Sequence, residues 1–205
     1  SDILRALQWI ADHYEEHQIR IVSMSLGGLP NRLSKIDPLV EGVEALWKKG
    51  ITVIAAAGNS GPDPRTITTP GVSQKIITVG AADDKRTPAV EDDDIADFSS
   101  RGPAGRIVKP DIVAPGVDII SVNCDVNYIS HSRVKAAIEP YTEMSGTSVA
   151  TPLVAGCAAL LLQKYPDWTP DQVKKVLMKH AFKLGKEPNV EGKGIINVAK
   201  CMNLM

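Results

Sequence analysis

The chain has 205 residues, a formal net charge of −1, and 43% apolar and 23% charged residues. These values are typical of a folded globular domain, and the balanced charge excludes the strongly basic face of a nucleic-acid-binding protein. The longest apolar run, at residues 153–162, is too short to cross a membrane, so neither nucleic acid nor a membrane is expected as a partner.

Helix-like and strand-like segments alternate along the chain. Apolar residues recur at helical spacing from Ile3 to Tyr14, and Thr169 is a typical N-cap before Pro170. The pattern predicts helices at 3–14, 36–49, 147–164 and 170–179, and strands at 20–25, 51–57, 75–80 and 118–122. This alternation indicates a three-layer α/β fold with a mostly parallel sheet flanked by helices.

Two stretches do not fit either pattern. Residues 83–97 include four consecutive acidic residues at 91–94, which favour a solvated loop over a cation site because carboxylates without a fixed spacing select no ion. Residues 123–140 form a long connection, and loops of this length in compact domains are often functional or mobile.

Ser148 lies in the sequence Gly-Thr-Ser-Val-Ala-Thr-Pro, which opens the third predicted helix. A hydroxyl at this place lies in the positive end of the helix dipole, which favours developing negative charge nearby. Two interpretations follow. Ser148 is either a nucleophile or an ordinary helix-capping serine.

Two other segments end a predicted strand with glycine. Asn59 follows the buried strand at 51–57, and its amide either donates to an oxyanion or simply occupies a turn. Gly27 and Gly28 follow the strand at 20–25, and they either expose backbone groups to an extended peptide or only terminate the strand.

Together these segments resemble the subtilisin-like serine protease family (peptidase S8), and most of all its bacterial intracellular-type members. Further matching motifs, in family order, are FSSRGP at 98–103, KPDIVAPG at 109–116 and GKGIINV at 192–198. The resemblance implies a serine endopeptidase with a polypeptide substrate, in which Ser148 is the catalytic nucleophile and Asn59 is the oxyanion donor. The implied substrate-binding residues are Ser25, Leu26 and Gly27 on one wall, Ala56, Ala57 and Gly58 on the other, and Thr147 beside the nucleophile.

The sequence lacks the family's other two catalytic motifs. No Asp is followed by Thr-Gly or Ser-Gly, and no His is followed by Gly. A serine nucleophile needs an adjacent base, and none of the four histidines (His13, His17, His131 and His180) is expected to supply it. We therefore expect residues 1–205 to be the C-terminal part of one catalytic domain, incomplete at the N-terminus and inactive alone.

Two other functions compete with this one. The first is a non-catalytic module that keeps the fold for peptide binding or assembly. The second is a nucleotide-binding α/β domain, which is disfavoured because the Gly58–Gly61 turn has neither GxGxxG nor GxxxxGK.

No cofactor is required for the expected chemistry. Residues 69–75 with Asp111 resemble a weak calcium site of the family, so a structural calcium ion stays an alternative to Lys109, which can replace the ion. No metal-binding residue is predicted.

Composition and truncation lead to three further expectations. The three cysteines are far apart and odd in number, which favours a reducing compartment and hence the cytoplasm. Cys157, inside the third predicted helix, is expected to pack in the core. A truncated sheet would leave an uncovered strand edge, so the isolated chain is expected to dimerise or exchange segments.

Overall fold

The computed structural model describes residues 2–30, 37–123 and 140–203, and most of the connection predicted at 123–140 lies outside these ranges. Helices and strands alternate over the first four described elements, further strands follow, and the described residues end in helices. In chain order these are α1 (Asp2–His13), β1 (Ile21–Met24), α2 (Pro38–Lys48), β2 (Thr52–Ala56), β3 (Ile77–Asp83), β4 (Asp94–Ile95), β5 (Ile112–Pro115), β6 (Ile119–Val122), β7 (Tyr141–Met144), α3 (Thr147–Lys164), α4 (Pro170–His180), α5 (Pro188–Glu191) and α6 (Val198–Met202).

The central sheet confirms the predicted fold class. Strands β1, β2, β3 and β5 lie side by side and are parallel, while the short β4 pairs antiparallel with the end of β3. The register places Met24 beside Ala55 and Ala56 beside Val79, so the carboxyl ends of β1, β2 and β3 reach the same edge. Within the described residues, β1 pairs only with β2 and so forms a sheet edge.

Helices cover both faces of this sheet, since every residue of β2 is buried. Helix α3 packs against β1, β2, β3 and β5, and α2 packs against β2 and α1. By length and composition alone, α3 is the one described helix that could cross a membrane. Because α3 packs against four strands of the sheet, its apolar composition is that of a core helix.

Local signals placed the helix ends well. The Asp37 carboxylate, a cap not recognised from the sequence, accepts from the backbone N–H of Leu39 at 3.0 Å at the start of α2, and Gly50, with φ of +88°, follows the end of this helix. Thr169 caps α4 in a capping box with Gln172, which confirms the predicted N-cap. The second helix begins at Pro38 rather than at residue 36, which lies outside the described ranges.

Strands were predicted less completely. The third strand begins at Ile77 and runs to Asp83, later than the predicted 75–80, and β4, β5 and β7 were missed. β5 is only four residues long and ends in Pro115, so its strand conformation depends on pairing with β3 rather than on a local pattern. Residues 84–97 form turns and loop apart from β4, as predicted, but Asp93, Ile95 and Ala96 are buried rather than solvated.

Candidate active site

Ser148 is the second residue of α3, at the end of the helix that faces the glycine-rich strand ends. The residue that caps α3 is Gly146, with φ of 155°, and it makes no side-chain capping bond. Ser148 therefore does not cap the helix. Its side chain is half-buried, and no residue in the described part of the chain hydrogen-bonds to its Oγ.

The Asn59 side chain is oriented by Thr147. The Asn59 Oδ1 accepts from the Thr147 backbone N–H at 2.9 Å and from the Thr147 Oγ1 at 2.8 Å. The Thr147 hydroxyl also accepts from the backbone N–H of Gly58 at 3.2 Å, which ties the end of β2 to the start of α3. Because the carbonyl side of the carboxamide faces Thr147, the Nδ2 donor faces away from it.

Gly146 leaves open the space that the Ser148 hydroxyl and the Asn59 amide share. A Cβ placed on Gly146 would lie 3.0 Å from the Ser148 Oγ and 3.2 Å from the Asn59 Nδ2. The two side-chain atoms are therefore no more than about 6 Å apart. A nucleophile and an amide donor that meet around one small space can address the carbon and the oxygen of one carbonyl group.

The two predicted groove walls meet at a residue that the sequence analysis missed. A Cβ on Gly27 would lie 2.6 Å from the Thr68 Oγ1, and one on Gly58 would lie 2.6 Å from the Thr68 Cγ2. The Thr68 hydroxyl donates to the Ala57 carbonyl at 3.1 Å, which fixes its orientation. Thr68 directly precedes the loop at 69–75, but no local pattern marks it as lying between two distant glycines.

The remaining predicted site residues lie at the same edge of the sheet, and they differ in the contacts and the exposure of their side chains. The Ser25 Oγ donates to the Ser148 carbonyl at 2.7 Å, so the segment after β1 is fixed to the backbone of Ser148. Leu26 is 41% exposed, whereas Ala56 and Ala57 have buried side chains and offer backbone groups only. The structure thus brings all of the predicted site residues to one edge of the sheet.

A family model described as the subtilase family matches residues 1–195. The chain belongs to the subtilase family. The serine protease AprX of Bacillus subtilis is 48% identical over 96% of this chain, and subtilisin DY of Bacillus licheniformis is 35% identical over 97% of it. Among solved structures, sphericase superimposes with a TM-score of 0.78 at 27% identity, covering 96% of this chain and 63% of the other.

This subtilase chain spans only part of its relatives. It covers 46% of the length of AprX and 61% of the length of subtilisin DY. None of the described histidines (His13, His17 and His180) hydrogen-bonds to Ser148, and His180 is the last residue of α4. His13 stacks on Trp9 with ring centroids 4.7 Å apart and bonds the Trp9 carbonyl, while His17 stacks on the same indole. His131 lies outside the described residues.

The described cysteines are not alternative nucleophiles. Cys157 and Cys201 are buried and free, which confirms that Cys157 packs in the core. Burial raises the pKa of each thiol to about 11, so both remain protonated at neutral pH.

The residues of the suggested calcium site do not fit a metal ion. The Asp111 carboxylate is paired with two ammonium groups, those of Lys109 and Lys174. Within the described ranges, no three His, Cys, Asp or Glu side chains form a cluster that could hold a metal. Lys109 was predicted as a replacement for the ion, whereas Lys174 was not recognised.

Proposed function

We propose that this subtilase is a serine endopeptidase that hydrolyses peptide bonds through an acyl-enzyme on Ser148. The observation that carries the proposal is the shared space around Gly146, where the Ser148 Oγ and the Asn59 Nδ2 converge beside the groove. The family and the relatives named as serine proteases support the same chemistry.

In the proposed reaction, the Ser148 Oγ attacks the carbonyl carbon of the scissile bond while a base takes its proton. The Asn59 amide and the Ser148 backbone N–H donate to the oxyanion that forms. The base then protonates the leaving amine, and water releases the acyl group from Ser148. Peptide backbone would pair with Ser25, Leu26 and Gly27, and a substrate side chain would lie towards Gly58, with Thr147 holding Asn59 in place.

We further propose that the base lies outside these 205 residues and that the chain is the C-terminal part of one catalytic domain. The absence of the family's Asp and His motifs supports this, as does the 46% coverage of AprX. The isolated chain would then hold the nucleophile and the oxyanion donor but show no peptidase turnover.

The decisive experiment compares casein hydrolysis by the longer protein that contains this chain, by its Ser148→Ala variant and by the isolated chain. We expect activity only from the longer protein with Ser148 intact. Ser121→Ala, which removes an exposed hydroxyl on β6, serves as the control and should keep full activity. Hydrolysis by the isolated chain that Ser148→Ala abolishes would disprove the fragment proposal while leaving the nucleophile in place.

A second candidate is a non-catalytic subtilase-fold module for peptide binding or assembly. It is favoured by one observation, that no base lies beside Ser148 in the described residues. The sequence upstream of residue 1 separates the candidates. Asp and His motifs there would support the protease, and their absence would support the binding module.

The exposed surface supports a proposal about assembly. β1 lies at a sheet edge of the described structure, and Leu29, Leu153 and Leu160 are exposed. An uncovered edge with apolar neighbours tends to pair with another chain, so the isolated chain would form homodimers or exchange segments. Light scattering that shows a monomer at high concentration would contradict this.

A cytoplasmic location and chemistry without a cofactor stay predictions.

A further inference from the structure

The Lys174 ammonium lies where three consecutive backbone carbonyls converge. Its Nζ donates to the carbonyl oxygens of Gln74 at 3.0 Å, Lys75 at 3.1 Å and Ile76 at 2.8 Å. It also forms an ion pair with the Asp111 Oδ1 at 3.0 Å. The Lys174 side chain is only 14% exposed, so α4 delivers one positive charge into a nearly closed site of four oxygen atoms.

Lys109 completes the same site from the other side. Its side chain is fully buried, and its Nζ donates to the Asp111 Oδ2 at 2.6 Å, the Thr78 Oγ1 at 2.7 Å and the Ile76 carbonyl at 3.2 Å. Both oxygens of Asp111 and the Ile76 carbonyl therefore bind an ammonium group.

The oxygens in this site are those that hard cations prefer. Backbone carbonyls and a carboxylate are typical ligands of Ca²⁺, and three convergent carbonyl dipoles are unfavourable without a positive charge between them. Glu44, which accepts from the Ser73 hydroxyl at 2.7 Å, adds a second negative charge near the same loop. Two lysines and two carboxylates therefore lie around this loop, and their charges balance without a metal ion.

We propose that the Lys174 ammonium, with Lys109 beside it, takes the place of a structural cation, and that removal of Lys174 opens a binding site for Ca²⁺ or Na⁺. The site lies at the junction of α4 with the loop before β3, and this inference does not depend on the proposed protease activity. The two ammonium groups would then hold the backbone of residues 74–76 in place without a metal ion.

The test compares Lys174→Met with Lys175→Met in the longer protein, because Lys175 is an exposed lysine on the same helix. Thermal unfolding is followed at pH 7 in choline chloride, and then in CaCl₂ or NaCl at equal ionic strength. We expect Tm of Lys174→Met to fall by about 5 °C or more in choline and to recover on addition of Ca²⁺ or Na⁺. Lys175→Met should respond to these salts as the unmodified protein does. Equal salt responses of the two variants would overturn the proposal.

A second measurement uses the unmodified protein and so does not depend on whether Lys174→Met folds. Slow acetylation of lysines, mapped by mass spectrometry, should leave Lys174 far less modified than Lys175, with either EDTA or Ca²⁺ present. Faster acetylation of Lys174 in Ca²⁺ would show that a metal ion displaces the ammonium, and this would overturn the proposal.

Discussion

The Asn59 carboxamide is held through its oxygen, and this determines what its nitrogen can do. Two donors from Thr147 satisfy the Oδ1, so the Nδ2 is directed towards the space around Gly146 rather than into the protein. The sequence alone predicted Asn59 as an oxyanion donor by resemblance and left a turn role open. The Thr147 contacts give a physical reason to expect the donor role that we propose.

Asn59→Ala in the longer protein should lower kcat and leave KM nearly unchanged, because the donor acts on charge that develops only in the transition state. The expected loss is about 10²–10³-fold, the size found for the corresponding donor in a subtilisin. Asn59→Asp is the matched variant, since it keeps the acceptor for Thr147 but removes the amide donor. A kcat that Asn59→Asp leaves intact would contradict the assignment.

Thr68 lies between the two groove walls and should restrict the side chains that the groove accepts. Thr68→Ala removes the hydroxyl and the methyl group that lie against Gly27 and Gly58. In the longer protein, we expect kcat/KM for a peptide with a Phe side chain to rise about 10-fold relative to kcat/KM for the same peptide with Ala. An enlarged pocket gives new contacts to a large side chain and almost none to a small one. Paired peptides that differ only at this residue provide the measurement, and an unchanged ratio would show that Thr68 lies outside the pocket.

At the scale of elements, features that depend on local signals were predicted from the sequence, and features that depend on distant partners were missed. The cap Thr169 acts within a few residues, so the sequence predicted the start of α4, whereas the cap Asp37 was not recognised and the start of α2 was predicted two residues too early. β5 and β7 depend on β3 and β6, their distant partners, and no local pattern revealed them. Lys174 was missed for the same reason, because its carbonyl partners lie about 100 residues earlier.

The capping box of α4 should contribute measurably to stability. Thr169→Ala removes the hydroxyl that accepts from the Gln172 backbone N–H, and the free energy of unfolding should fall by about 1 kcal/mol. Thr169→Ser keeps the oxygen and should lose much less. Urea unfolding of both variants measures the difference, and equal losses would show that the methyl group rather than the cap is responsible.

At the scale of the whole molecule, one buried charge makes stability depend on pH. Burial lowers the pKa of Lys109 from 10.5 to about 8, although Asp111 opposes this shift. Between these two values the unfolded chain binds more protons than the folded one, so stability should rise with pH across this window. The cost of the buried charge is fully present below about pH 8 and is relieved above about pH 10.5.

The free energy of unfolding of the unmodified protein, minus that of Lys109→Met, should therefore increase by up to about 1.4 kcal/mol per pH unit between pH 8 and 10.5. Urea unfolding at several pH values gives this difference directly. A difference that stays constant across the window would mean that Lys109 keeps its proton in the folded state.

The fold and the part of the candidate site around Ser148 and Asn59 were predictable, because each subtilase motif is contiguous in the sequence. These motifs do not provide the group that would activate Ser148, which we propose lies on chain outside these residues. The central claim is that Ser148 becomes a nucleophile only when that group is present.

Labelling by a fluorophosphonate probe tests this claim most directly, because the probe reacts with an activated serine and needs no peptide substrate. The longer protein should be labelled rapidly at Ser148, the isolated chain only slowly, and Ser148→Ala in either form not at all. Rapid labelling of Ser148 in the isolated chain, or labelling of the longer protein at another residue, would contradict the account.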